Sequence, residues 1–283
     1  MPNIPVRKLK EAYFEERFSI RKTEPLVMEK ELVHDLHRHD FYFALFIKKG
    51  KGIHEIDFVN YEVSDYSVFF LRPGQVHQLR LNKGTSGFML QFAPDFYSPH
   101  ENPAIQVLRK VSNKNHCQVT SARFEHIFFL LETMFREYSE KKFQYKESIM
   151  AYLGILFIEL ARQSANPNKT SDSSNSYTQE RMEMFKELLE KHIGTKKQVS
   201  QYAEMLNITP YQLNSITKNT LQKTGSELIN EHIVLEAKRL LIATTNQVNQ
   251  VADLLGYDDP SYFIRFFKKH TGLTPEAFRQ NFK

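Results

Sequence analysis

The sequence predicts an α+β protein of two domains, a β-rich half closed by helices and then an all-α third built on a duplicated unit. Three observations predict it. From Leu26 to about Tyr97, short alternating or β-branched runs recur with turn residues between them, the pattern of a β-barrel or sandwich. From Gln163 to Thr178 the chain is rich in Ser, Asn, Pro and Lys and nearly devoid of apolar residues, the composition of a solvated linker. Beyond it, one helical pattern occurs twice.

Bulk properties narrow the function class. With 41% hydrophobic and 25% charged residues, the composition is that of an ordinary soluble globular protein. The single cysteine, Cys117, excludes a disulfide framework within the chain and any zinc site built on several cysteines. No apolar run approaches a membrane span, and the first residues lack the apolar core of a signal peptide, so a cytoplasmic location is expected and no membrane. A net charge of +5 permits nucleic-acid binding. Residues 179–283 hold 14 Lys and Arg against 12 Asp and Glu, only +2, so affinity for DNA must come from where the cations sit.

Residues 1–22, partly periodic through Leu9, Tyr13, Phe14 and Phe18, read as an N-terminal arm or short helix. Strands are expected at Phe41–Ile47, Gly52–Val59, Ser67–Leu71, Gln75–Leu81 and Gly87–Phe92. After Pro99 and Pro103 the period changes to three or four. Helices are expected over Ala122–Glu140 and Ser148–Arg162, with apolar stripes wide enough to cover the sheet and leave surplus. The second stripe, Ile149, Tyr152, Leu153, Leu156 and Leu160, is the candidate dimer surface. The expected domains are 1–162 for the barrel with its two dimerisation helices, 163–178 for the linker and 179–283 for the helical part.

The duplication runs from Gln198–Leu206 to Gln247–Leu255, where Gln, Val, Gln, Ala and Leu recur at an offset of 49. One extra residue in the second turn makes the offset 50, and Pro210, Leu213, Lys218 and Thr224 then answer Pro260, Phe263, Lys268 and Thr274. Each copy is a short helix, a tight turn and a second helix that begins at proline, where the missing N–H does no harm. That is the helix-turn-helix pattern, expected at about 198–221 and 247–271. Between the copies, Ser226–Ala243 reads as a linker helix that sets their separation.

The stretch GYDDPSYFIRFFKKHTGLTPEAFR, Gly256–Arg279, closely resembles the C-terminal signature of the AraC/XylS family of bacterial transcription regulators. The resemblance implies a sequence-specific regulator of transcription, an activator more often than not, which binds double-stranded DNA, works with RNA polymerase and pairs as a homodimer. It places the base-reading positions at Ser261, Tyr262, Ile264 and Arg265 of the second unit, with Lys268 and Lys269 on phosphates. The matching positions of the first unit are Tyr211, Gln212, Asn214 and Ser215, with Lys218 and Asn219 near the backbone. Arg265 is the side chain best able to grip a guanine, and Asn214 or Gln212 suits adenine. Ser215 and Thr217 depart from the Arg and Phe common in the family. Asn207 takes the place of the usual turn glycine, which Asn tolerates because it adopts the left-handed conformation.

In the N-terminal half, His37-Arg38-His39 before a Phe-rich strand, and Pro73-Gly74-Gln75-Val76-His77 after another, resemble the two cupin motifs, so the barrel is expected to be a cupin-like jelly roll. Its interior either fills as a core or holds a small organic effector. Candidate lining residues are Phe41, Phe43, Leu45, Phe69, Arg72, His77, Arg80 and Phe88. Converging imidazoles of His37, His39 and His77 would suit zinc, iron or nickel. Apolar residues stand where the cupin pattern has its carboxylate, so the sequence disfavours a metal there and no cofactor is expected. Nor does it show a phosphate-binding loop, nucleophile elbow or acid pair, and an enzyme is not expected.

Overall fold

In the computed structural model of the chain, residues 6–7, 17–97, 102–164 and 173–281 are described. The chain divides into two compact units, Pro5–Asn166 and Pro167–Lys283.

The first unit is a two-sheet β structure with helices on one side. Its strands are β1 (Val6–Arg7), β2 (Phe18–Lys22), β3 (Leu32–His39), β4 (Tyr42–Lys49), β5 (Gly52–Ile56), β6 (Val59–Val63), β7 (Ser67–Leu71), β8 (Val76–Leu81), β9 (Ser86–Phe92) and β10 (His116–Gln118). Its helices are α1 (Glu24–Val27), α2 (Asn102–Ser112), α3 (Ser121–Glu140) and α4 (Tyr145–Ser164). One sheet has the order β1-β3-β8-β5-β6 and the other β10-β7-β4-β9-β2. β1 alone of these joins its neighbour in parallel.

Alternation along β4 explains how the layers hold together. Phe43, Leu45 and Ile47 pack with Ile56, Val63, Leu79 and Leu81 of the other sheet, forming the core between sheets. Ala44 and Phe46 point the other way, into a second core with Phe124, Leu131, Leu153 and Leu156 of α3 and α4. A sheet buried on both faces has no solvent side, which is why β7 reads as an unbroken Ser-Val-Phe-Phe-Leu with every residue buried. Each buried Phe or Leu contributes about 1.5–3 kcal/mol of transfer free energy.

Several expectations change here. Phe18–Lys22 is a strand, not an arm or helix: Phe18 and Ile20 alternate into the helix-side core while β2 pairs with β9. Leu9, Tyr13 and Phe14 lie outside the described residues. The expected strand Gly52–Val59 is a hairpin, turning at Asp57 and Phe58 with φ of 49° and 69° and pairing Ile56 with Val59. Both positive angles suit a two-residue hairpin loop, which usually carries Asn-Gly. Here the Asp57 carboxylate holds the turn, accepting from the Val76 N–H at 3.2 Å and from Gln75 Nε2 at 2.7 Å.

The candidate dimer stripe is also reassigned. Ile149, Leu153, Leu156 and Leu160 are all within the helix-side core, at most 3% exposed, and Tyr152 is half-buried against it. Covering the outer face of the second sheet uses the four aliphatic residues of this stripe. Among the described residues, the large apolar side chains that α4 leaves exposed are Ile155 and Ile158.

The second unit is helical: α5 (Ser173–His192), α6 (Val199–Met205), α7 (Pro210–Leu221), α8 (Gly225–Ala243), α9 (Val248–Leu254), α10 (Pro260–Thr271) and α11 (Pro275–Gln280). Since α4 runs to Ser164 and α5 starts at Ser173, helix takes up both ends of the expected linker. The connector α8 packs against both α7 and α10. Arg279 of α11 ties the end of α8 to the following turn, donating to the carbonyls of Leu241 at 2.8 Å and Asn246 at 2.6 Å.

Candidate nucleic-acid interface

The two copies agree in their hydrogen bonds as well as in sequence. At the start of each unit a glutamine three residues on accepts from the capping N–H, Gln201 from Gln198 at 3.1 Å and Gln250 from Gln247 at 2.7 Å. At the turn, the Ile208 N–H reaches the Ala203 carbonyl at 3.0 Å, and the Tyr257 N–H reaches the Ala252 carbonyl at 2.9 Å. Asn207 and Gly256 occupy the same left-handed position, with φ of 53° and 69°. Thr209 Oγ1 caps α7 through the Gln212 N–H, and Asp259 caps α10 through the Ser261 N–H. The Asp259 carboxylate is held below the usual carboxylate range, first by that backbone hydrogen bond.

Exposure repeats with the same offset of 50. Leu213 and Thr217 are buried on α7, as are Phe263 and Phe267 on α10. Tyr211, Gln212, Ser215, Lys218 and Asn219 are exposed, and so are Ser261, Tyr262, Arg265, Lys268 and Lys269. Steps of one, three and four residues put each set along one helical face. Phe266 is half-buried, its ring tilted against those of Tyr257 at 5.8 Å and His270 at 4.5 Å.

Within these faces the side chains differ in readiness. Tyr211 is 84% exposed, and the Arg265 side chain is 70% exposed with only a loose 4.0 Å approach to Asp259. A surface pair of that length contributes little and yields readily to another acceptor. Gln212 Oε1 accepts from the Thr209 N–H at 2.8 Å, so its amide oxygen belongs to the cap. Asn214 is half-buried, and its Oδ1 accepts from the Gly225 N–H at 2.8 Å. A bidentate grip on adenine uses both the oxygen and the nitrogen of an amide, and in both residues the oxygen already accepts one backbone hydrogen bond. Ile264, the counterpart of Asn214, is half-buried too.

Of the candidate effector-pocket residues, Phe41, Phe43, Leu45 and Phe69 belong to the core between the sheets, and the His77 ring lies 5.5 Å from that of Phe43. Phe88 does not join them. It faces the helices, with its ring 5.2 Å from Phe128 and 5.9 Å from Phe135. Arg80 is exposed and Arg72 half-buried, its Nη1 3.5 Å from Asn113 Oδ1. Adjacent strand residues point to opposite faces, and the expected set mixed the two.

His37, His39 and His77 are brought together, all buried, with one ring nitrogen of each within 4.8 Å of the others. His54 of β5 joins them, its Nε2 2.9 Å from His77 Nδ1. The sequence reading missed His54, although Gly52, His54 and Ile56 share one face of the same strand.

Residues 28–152 match the family described as AraC-like ligand binding domain, and residues 202–281 match the helix-turn-helix domain family. The chain belongs to the AraC/XylS family of transcription regulators. Its likeness extends over most of an uncharacterized HTH-type transcriptional regulator, YfiF, of Bacillus subtilis strain 168, with 20% identity across 88% of this chain and 79% of that one. The HTH-type transcriptional activator RhaR of Mannheimia succiniciproducens is 21% identical across 94% of this chain and 95% of its own. The bifunctional transcriptional activator/DNA repair enzyme AdaA of Bacillus subtilis strain 168 is 32% identical over 35% of this chain and 47% of its own. In AraC-family terms the two matched segments fall on different compact units, and the duplicated unit lies almost wholly in the second.

Proposed function

We propose that this protein regulates transcription by inserting α7 and α10 into successive major grooves of one DNA duplex, about 34 Å apart along its axis. The observation that supports this best is the repeat itself. Caps, turns and buried positions agree between the copies, while the exposed faces carry different side chains, Tyr211, Gln212 and Ser215 in one and Ser261, Tyr262 and Arg265 in the other. Shared architecture with unlike surfaces is what reading two different base-pair sets requires.

In this reading Arg265 makes the strongest base contact, as a bidentate donor to guanine O6 and N7. Tyr262, Ser261, Tyr211 and Ser215 meet neighbouring base edges, while Lys218, Asn219, Lys268 and Lys269 meet phosphates and set register. Asn214 positions α7 instead of reading a base. Bound in this way, the protein acts in the cytoplasm by recruiting or positioning RNA polymerase, with no catalytic step of its own. Among the described residues no helix is long and apolar enough to cross a membrane. A small organic effector in the barrel and a homodimer through the exposed Ile155 and Ile158 face of α4 complete the proposal.

The test is selection of duplexes from genomic fragments by the full chain, followed by sequencing of what it retains. A shared motif with two separated clusters of preferred bases is expected. Retention of fragments without any common sequence would overturn the reading.

A further inference from the structure

The interior of the barrel holds more imidazole than a filled apolar core calls for. His37 and His39 leave the same face of β3, and the register places His37 opposite His77 on β8. His54 enters from β5, the next strand over. His37, His54 and His77 are 0% exposed and His39 5%. Burying polar side chains costs free energy unless their nitrogens are satisfied.

One tautomer is set by its partner. His37 Nδ1 lies 2.6 Å from the Asp35 carbonyl oxygen. A carbonyl only accepts, so Nδ1 carries the proton and Nε2 presents a lone pair. His77 stands between two rings, with Nδ1 2.9 Å from His54 Nε2 and Nε2 2.8 Å from His39 Nε2.

We propose that His37, His39 and His77 bind a divalent transition-metal ion of the zinc, nickel, cobalt and copper class. His54 is a positioning residue in this site: it accepts the Nδ1–H of His77 and so turns Nε2 toward the ion.

Chemistry and geometry both favour it. Neutral imidazoles without a carboxylate suit these borderline ions and not magnesium or calcium. Metal–nitrogen bonds of about 2.0–2.1 Å in a tetrahedral site put ligand nitrogens roughly 3.3 Å apart. The separations here, from 2.8 Å up to a limit of 4.8 Å, bracket that value. Binding moves the proton that bridges His39 Nε2 and His77 Nε2 to the other ring nitrogen of His39, and small ring rotations then bring three nitrogens into place. A ligand hydrogen-bonded through its other nitrogen, as His37 is to Asp35 and His77 to His54, is the ordinary support of a metal-bound histidine. The sequence argued against a metal because no carboxylate follows His37-Arg38-His39. The fold supplies a fourth imidazole, His54, behind His77.

The experiment uses the full chain, dialysed against chelator and then titrated with cobalt(II). One cobalt per chain is expected, with the visible d–d bands of nitrogen coordination, displaced by one equivalent of zinc. His39→Gln and His77→Gln should abolish those bands, and His54→Gln should weaken the ion by about 10–100-fold while keeping one site. X-ray absorption of the zinc-loaded wild-type chain counts the imidazole ligands and needs no variant to fold; three support the site. Absence of d–d bands in the wild-type chain, fewer than three imidazoles on zinc, or cobalt uptake unchanged in folded His39→Gln and His77→Gln proteins would overturn it, leaving a hydrogen-bonded chain of imidazoles. None of these outcomes depends on DNA reading.

Discussion

The Asn214 side-chain oxygen accepts a 2.8 Å hydrogen bond from the backbone N–H of Gly225 and so ties the middle of α7 to the first residue of α8. At the same places in the second copy, 50 residues on, stand Ile264 and Pro275. Proline has no N–H to satisfy, and the partner position is accordingly apolar. Asn214→Ala removes the acceptor, with an expected loss of about 1–2 kcal/mol in urea melts. Affinity should fall alike for the operator and for random duplex. A changed preference at a single base pair would return Asn214 to the reading set.

Arg265→Ala should lose about 1–3 kcal/mol of discrimination at one base pair. Competition binding against operators mutated one position at a time measures this, and an equal loss on every duplex would argue against a base contact. Lys268→Ala should instead weaken all duplexes similarly and reduce the slope of log affinity against log salt by about one.

Leu156 separates core from interface. It is 0% exposed and packs within the helix-side cluster of its own unit, so Leu156→Ala should cost about 2–5 kcal/mol of stability. Thermal melts of dilute protein should show that loss independently of protein concentration. A small loss accompanied by dissociation of a dimer would reinstate Leu156 as an interface residue.

Gly256 has φ of 69°, and an added Cβ would stand 1.8 Å from the Gly194 carbonyl oxygen. Gly256→Ala therefore meets both backbone strain and a clash with main chain, and should destabilise the helical unit by more than about 1 kcal/mol. Chemical denaturation of the variant is the check, and a neutral result would show that Gly194 moves aside freely.

Asp259 gives a pH dependence of known sign. Its folded-state pKa is depressed, first by the Ser261 backbone N–H and further by the charge of Arg265. Its cap therefore contributes fully above the unfolded carboxylate value of about 3.9 and fades as pH falls through the lower folded value. The stability gap between wild-type and Asp259→Ala should be constant near neutrality and close as the pH falls below the unfolded carboxylate value. A gap that persists at the acid end would mean the carboxylate charge is not what caps α10.

The helical unit was the more legible part of the sequence because its signals are local. Caps at Thr209, Thr224 and Thr274, prolines at the first helical positions and the left-handed Asn207 are set by neighbours a few residues away. The sheets were legible where one turn residue marks a strand end, as around Ser67–Leu71 and Val76–Leu81. They were not legible at Asp57-Phe58, where a carboxylate bonded to distant Gln75 and Val76 holds a turn without glycine. Which residues share a face across strands was hidden too. Phe88 and Phe43 look alike in sequence yet belong to different cores, and His54 meets His77 only through the pairing of β5 with β8. Composition alone made Ser173–Thr178 look like linker; the backbone there is helical.

The most direct measurement is hydroxyl-radical or missing-base interference on an operator recovered by selection, using the full chain and the Arg265→Ala variant. Two protected clusters one helical turn apart on the same side of the duplex are expected, with Arg265→Ala relaxing the base preference in one cluster only. A single cluster, clusters on opposite sides, or a wild-type chain with no preference for the operator over random competitor would contradict paired reading by α7 and α10.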